Sequence, residues 1–278
     1  MTLAMNTGTE DRFETQNKKM VCLDVDGTLV NHEGHMSQAV RTAARAVVDA
    51  GHEVVVSTGR SLGATLPILE LLDIHTGYAV CCNGGVTVRL DPTLEDRFEV
   101  IDRKTFDPAP ALMALREALP AAKYALEDNA GNFLSTERFQ DASFGVVATG
   151  VPFEDLLAAT AVRLVVFSTD STAEDFGEAV EAIGLHGVTY SVGWTAWLDI
   201  AADGVNKASG IEVLRESLGI APEDTVAVGD GRNDIEMLAW AGRGVAMGQA
   251  PDEVKAAADE IAAGVDDDGL EAVLRSLL

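Results

Sequence analysis

Only three cysteines, Cys22, Cys81 and Cys82, occur in the 278 residues, all within apolar, strand-like stretches. Adjacent Cys81 and Cys82 are poorly placed to bridge each other and the spacing fits no zinc motif, so reduced, buried thiols are expected. Basic residues are also scarce: 20 Lys and Arg stand against 45 Asp and Glu, a formal net charge of −25. Nucleic acids and anionic membrane surfaces both demand basic patches, so neither is an expected partner. No run of about 18 apolar residues suggests a membrane span, and residues 1–18 are polar without the apolar centre of a secretory signal. A polar N-terminal extension and a cytoplasmic location are therefore the expectation. Internal repeats and low-complexity tracts are missing too. What is there, 47% hydrophobic residues in a chain of 278, suffices for a sizeable core and two domains.

Asp24 and Asp26 close the apolar run Met20-Val21-Cys22-Leu23, and Gly27-Thr28-Leu29 follows at once. A buried strand delivers its last side chains to the carboxyl edge of a parallel sheet, where open α/β folds place ligands. Two carboxylates about 4 Å apart repel by roughly 4 kcal/mol at an effective dielectric near 20, so the pair needs a cation, a shared proton or distance. Mg²⁺ is the simplest answer. Asp and Gly are also ordinary turn formers, so the string alone does not decide.

Three further segments add to it. Val54-Val55-Val56 runs into Ser57-Thr58-Gly59-Arg60, offering hydroxyls and a guanidinium at a second strand end. Thr225-Val226-Ala227-Val228 ends in Gly229-Asp230-Gly231-Arg232-Asn233-Asp234. Lys207 opens the apolar-periodic segment 207–218, which puts its ammonium at a helix N-terminus. Strand-end carboxylates, a hydroxyl and a lysine together suit a phosphate held beside Mg²⁺.

In order and wording these strings resemble the four motifs of the haloacid dehalogenase (HAD) superfamily of phosphatases, and within it the Cof-type hydrolases with a large inserted cap. They read Asp24-Val25-Asp26-Gly27-Thr28-Leu29, Ser57-Thr58-Gly59-Arg60, Asn206-Lys207, and the long string Gly229 to Leu238. Cys82-Asn83-Gly84-Gly85, Trp197-Leu198-Asp199-Ile200 and Ala246-Met247-Gly248 are supporting matches, whereas Gln249 stands where the family often has asparagine. The resemblance implies a Mg²⁺-dependent phosphomonoester hydrolase acting on a small phosphorylated metabolite, with sugar phosphates favoured. Asp24 would be the nucleophile that becomes an aspartyl phosphate, and Asp26 the acid and base. Asp24, Asp230 and the backbone carbonyl of Asp26 would hold the metal. Thr58, Gly59, Lys207 and Asn233 would bind the phosphoryl group, with Asp234 orienting the lysine and metal-bound water. A phosphomutase of similar fold and a non-catalytic phosphate-ligand sensor remain as alternatives. A receiver domain needs no cap, and a glycosyltransferase D-x-D would not need Lys207 or the string 229–234.

For organisation, strands and helices alternate from residue 20 to residue 82, which predicts a parallel, doubly wound α/β sheet, Rossmann-like. After Gly84-Gly85 the pattern changes to an α+β unit of ~100 residues, the family's type 2 cap. The expected division is an extension over 1–18, core over 19–85, cap over 86–193 and core again over 194–278. Within the cap the turn Glu127-Asp128-Asn129 is expected to meet the leaving group. Trp194 and Trp197 wall the substrate space or pack the cap hinge, packing being the expectation for Trp197.

Overall fold

The computed structural model describes residues 18–137, 145, 147–193 and 195–278, so the extension before residue 18 and Trp194 lie outside the described residues. The chain begins with β1 (Met20–Leu23), α1 (Gln38–Asp49), β2 (Glu53–Ser57), α2 (Leu62–Leu71), β3 (Gly77–Cys81), β4 (Val86–Leu90) and β5 (Phe98–Arg103). Next come α3 (Ala109–Ala118), β6 (Lys123–Asp128), β7 (Phe133–Ser135), β8 (Thr149–Gly150), α4 (Phe153–Leu157), β9 (Ala161–Phe167), α5 (Ala173–Ile183), β10 (Val188–Val192) and β11 (Trp197–Ala202). It closes with α6 (Lys207–Leu218), β12 (Thr225–Gly229), α7 (Ile235–Trp240), β13 (Arg243–Ala246), α8 (Asp252–Ala256), β14 (Glu260–Ile261) and α9 (Gly269–Arg275).

The first sheet runs β14-β13-β12-β1-β2-β3-β4-β5, parallel through β3 and antiparallel for β4 and β5. Its central strand shows why the sequence run has no polar alternation. Val21 and Leu23 pack with Val40, Ala43 and Leu270 on one side, while Met20 and Cys22 pack with Ile211, Leu214 and Met237 on the other. Helices thus cover both faces, as a buried parallel strand requires. Each such side chain contributes about 1.5–3 kcal/mol by leaving water. Helix α1 starts where Ser37 accepts a hydrogen bond from the Val40 N–H and presents Val40, Ala43, Ala44 and Val47 to this core.

The second sheet runs β10-β11-β9-β6-β7-β8 and is antiparallel except for β7 beside β8. One face carries Leu126, Leu164, Val166, Leu198 and Ile200 against α3, α4 and α5. The doubly wound core with an inserted α+β cap is borne out. The expected cap start at residue 86 and the return at 194 need correction, because β4 and β5 extend the first sheet and β11 belongs to the second. The reason is physical: strand alternation shows which face is buried, not which neighbour the strand pairs with. No helix among the described residues is long and apolar enough to cross a membrane.

Candidate active site

Three adjacent parallel strands, β12, β1 and β2, end side by side, and the residue after each is polar. Asp230 follows β12, Asp24 follows β1 and Thr58 follows β2. The ladder continues one residue into this edge, since the Asp24 N–H donates to Val228 O at 3.0 Å and the Thr58 N–H to Val80 O at 2.9 Å. Opposite them, Asn206 caps α6 by accepting from the Ser209 N–H while Ser209 Oγ accepts from the Asn206 N–H. This reciprocal cap fixes Lys207 as the first helical residue and turns its side chain toward the strand ends.

Lys207 is fully buried, and its Nζ donates to Asp24 Oδ1 at 2.5 Å and to Asp234 Oδ1 at 2.7 Å. Asp234 Oδ2 accepts from the N–H groups of Asp230 and Gly231 at 3.0 and 2.9 Å. Both oxygens of Asp234 are therefore spent on holding the lysine and shaping the loop after β12. Carboxylate oxygens of Asp24, Asp230 and Asp234 lie within 4.8 Å of one another. At an effective dielectric near 20, each such ionised pair costs roughly 3–4 kcal/mol, and three carboxylates with one lysine leave a buried cluster two charges negative when all are ionised. The strain appears in the titration of the cluster. Burial, then the Asp234 charge, holds Asp24 well above the ordinary carboxylate range against the opposing pull of Lys207. Asp230 is pushed up to about 6, by burial first and Asp234 second. Burial opposes the charge on Lys207, yet Asp234 and Asp24 together raise it above its ordinary value.

A cluster that crowded fits a divalent cation, and the donor atoms agree. Asp24 Oδ2 and Asp230 Oδ1 make no hydrogen bond with the described residues, and the Asp26 carbonyl oxygen accepts none from them. These are hard oxygen donors of the kind Mg²⁺ takes. The Asp26 side chain is not part of the cluster. It is 61% exposed and forms a forked pair with Arg60, at 2.5 Å from Nη2 and 2.9 Å from Nε.

The turn carrying Asp26 depends on glycine. Gly27 has φ of +84°, and a Cβ there would lie 2.1 Å from Asp230 Oδ2. Gln249, whose contribution the sequence left open, secures this approach: its Nε2 donates to Gly27 O at 2.6 Å and to Asp230 Oδ2 at 3.1 Å, while its Oε1 accepts from the Val265 N–H. A longer side chain than asparagine thus ties the first motif to the fourth.

Thr58, Gly59 and Asn233 meet around Asn83, to which sequence reasoning gave no role. Cys82, Asn83 and Gly84 all have positive φ, a turn held by Cys82 N–H to Arg60 O and Asn83 N–H to Thr58 O bonds. Asn83 Oδ1 accepts from Asn233 Nδ2 at 2.9 Å and would be 3.1 Å from a Cβ on Gly59. Gly84 has its own requirement, since a Cβ there would lie 2.2 Å from Asn206 O. An Asn-Gly pair one residue past a strand end was the available signal.

A cleft of about 670 Å³ opens from Lys207, Asn83 and Asn233 and is walled by α5, β10 and β11. The turn expected at the leaving group is elsewhere. Glu127 is buried, accepting from Cys82 Sγ at 3.2 Å, and Asp128 folds the hairpin by accepting from the Ala130 and Asn132 N–H groups. Trp197 packs as expected, stacked on Phe167 with ring centroids 5.6 Å apart. Arg232 lines the cleft paired with Glu253 at 2.5 Å.

A doubly wound core with strand-end carboxylates under an inserted α+β cap is the arrangement of a HAD-type phosphatase. The chain belongs to the haloacid dehalogenase-like hydrolases, whose family model matches residues 21–274. Phosphatase YwpJ of Bacillus subtilis is 26% identical, over 94% of this chain and 100% of its own. Pyridoxal phosphate phosphatase YbhA of Escherichia coli is 29% identical, over 87% and 92%. Among solved structures, a sugar phosphatase of HAD subclass IIB is 26% identical with a TM-score of 0.78, over 94% of this chain and 100% of that one. The activity of the present chain is that of a HAD-type phosphatase on phosphorylated small molecules.

Proposed function

We propose that the protein is a Mg²⁺-dependent phosphomonoesterase that cleaves a small sugar phosphate through an aspartyl phosphate on Asp24. The observation that carries this reading is the buried row Asp24, Lys207, Asp234 at the mouth of the cleft. Asp24 Oδ attacks phosphorus, forming one O–P bond as the ester O–P bond breaks. The departing oxygen takes a proton from Asp26, and Asp26 then takes one from the water that attacks the aspartyl phosphate, which releases phosphate and restores Asp24. Asp26 reaches the leaving oxygen from an exposed turn by exchanging its Arg60 contact for the substrate.

Lys207, the Thr58 hydroxyl, the Gly59 N–H and Asn233 bind the phosphoryl oxygens, and Asp234 keeps Lys207 aimed. Asp24, Asp230 and the Asp26 carbonyl would hold Mg²⁺, which when bound would neutralise charge on the transferring group. Cleft size and its polar wall suit a sugar, and one similar structure is named a sugar phosphatase. Three free, buried cysteines fit the cytoplasm. Phosphate release from hexose and pentose monophosphates, nucleotides and an aryl phosphate, with Mg²⁺, with EDTA and as Asp24→Asn, tests the reading. Metal-dependent release that disappears in the variant is expected. Release that survives both EDTA and Asp24→Asn refutes it.

A further inference from the structure

The cap sheet has two unlike faces. Leu164, Leu198 and Ile200 turn to the helices, so alternation sends Arg163, Asp199 and Glu127 to the other face. There they form a row across four strands. Ser191 is the cross-strand partner of Asp199, and Glu127 that of Arg163. Arg163 Nε donates to Asp199 Oδ1 at 2.6 Å, and Trp197 Nε1 donates to Asp199 Oδ2 at 2.9 Å. Arg163 is only 3% exposed, and Ser191, Asp199 and Arg163 all line the cleft that Lys207 opens.

Burying the Arg163 guanidinium against a partly exposed carboxylate carries a desolvation cost that an apolar side chain would not incur, so stability does not explain this row. Its position does offer an explanation. A serine hydroxyl, a carboxylate held from behind by an indole and a guanidinium stand side by side on the wall facing the phosphoryl site. Ser191 Oγ makes no hydrogen bond with the described residues. The local charge is already met: Asp199 and Glu127 flank Arg163, Lys207 lies between Asp24 and Asp234, and Arg232 pairs with Glu253. Glu174, Glu178 and Glu181 on α5 add further negative charge along the same cleft. A second phosphate or a carboxylate on the substrate therefore finds no excess of positive charge, whereas neutral hydroxyls find both donors and acceptors.

Building on the phosphatase reading above, we propose that Ser191, Asp199 and Arg163 are the specificity-determining residues that hold two or more hydroxyls of an uncharged polyol leaving group. Sugar monophosphates are accepted by this row and bisphosphates and nucleotides are rejected.

The test compares kcat and KM for wild type, Asp199→Asn and Ser191→Ala on a panel of hexose and pentose monophosphates and glycerol phosphate. Para-nitrophenyl phosphate, whose leaving group has no aliphatic hydroxyls, serves as the reference, and sugar bisphosphates and nucleotides complete the panel. Asp199→Asn is expected to lower the ratio of sugar to aryl kcat/KM at least about tenfold, mainly through KM, and Ser191→Ala about three- to tenfold. Ser191→Ala removes one partly exposed hydroxyl, so its melting temperature should follow wild type even if the buried pair proves sensitive. A ratio unchanged in both variants, equal losses on both substrate types, or a wild type that prefers bisphosphates or nucleotides overturns the assignment. Wild type that hydrolyses the aryl phosphate but no polyol phosphate better overturns it as well. Failure of wild type to release phosphate from any compound sinks the phosphatase reading itself, and this assignment with it.

Discussion

Asp230 offers the sharpest test of the crowded carboxylates. Burial and the neighbouring Asp234 raise it from 3.8 to about 6 in the folded, metal-free protein. As pH climbs across that interval the unfolded chain has already released this proton while the folded chain still binds it. Folding stability therefore falls with rising pH through the window, and the full cost is present above pH 6. A shift of about 2 units at 1.36 kcal/mol each is on the order of 3 kcal/mol. Asp230→Asn keeps the shape and removes the titration. Urea unfolding of EDTA-stripped wild type and variant, at about pH 4 and about pH 7, should show the variant gaining roughly 3 kcal/mol on wild type between the two. Saturating Mg²⁺ should then stabilise wild type at neutral pH and the variant far less, because binding to the folded state alone adds to its stability. Parallel pH dependences for the two proteins, or equal Mg²⁺ stabilisation, would refute the reasoning.

Asp24→Asn should lower turnover at least about a thousandfold yet raise the metal-free melting temperature at neutral pH, since burial disfavours the charge it removes. Steady-state kinetics and calorimetry check the two halves. Gly27→Ala combines about 1–2 kcal/mol of left-handed strain with a forced displacement of Asp230. Half-maximal activity in a Mg²⁺ titration should shift upward at least about tenfold, more than its modest loss in urea unfolding suggests. Gln249→Ala unties Gly27 from Asp230 and leaves the Val265 N–H to water. It should cost about 0.5–1.5 kcal/mol of stability and raise the Mg²⁺ requirement as well, both absent if the tether is incidental.

Much of this architecture is legible in the chain. Apolar runs that give way to polar residues at Asp24, Ser57-Thr58 and Gly229-Asp230 locate a ligand edge before any coordinates, because a strand buried on both faces shows an unbroken apolar string and the polar residues that follow it mark where the strand reaches the sheet edge. Ser37, the apolar spacing of α1, and Asn206 before Lys207 set helix starts by local hydrogen bonding alone. Local rules also found β4 and β5 but assigned them to the cap, since a strand's own pattern does not say whether β3 or a cap strand is its neighbour.

Tertiary structure alone decided what those residues meet. Lys207 reaches Asp24 across 183 residues and Gln249 reaches Gly27 across 222, and no periodicity or propensity reports a contact at that separation. Arg163 and Asp199 read as ordinary strand charges until antiparallel pairing of β9 with β11 puts them on one face, Arg163 buried and Asp199 partly so, at the wall of the cleft. Asp26 shows the converse: its place in the motif is plain from sequence, while the Arg60 fork that its carboxylate occupies depends on how two strand-end turns fold together. Local hydrogen bonding and burial patterns are written residue by residue, whereas the charge balance of a site is a sum over groups that only the packed fold brings within a few ångströms.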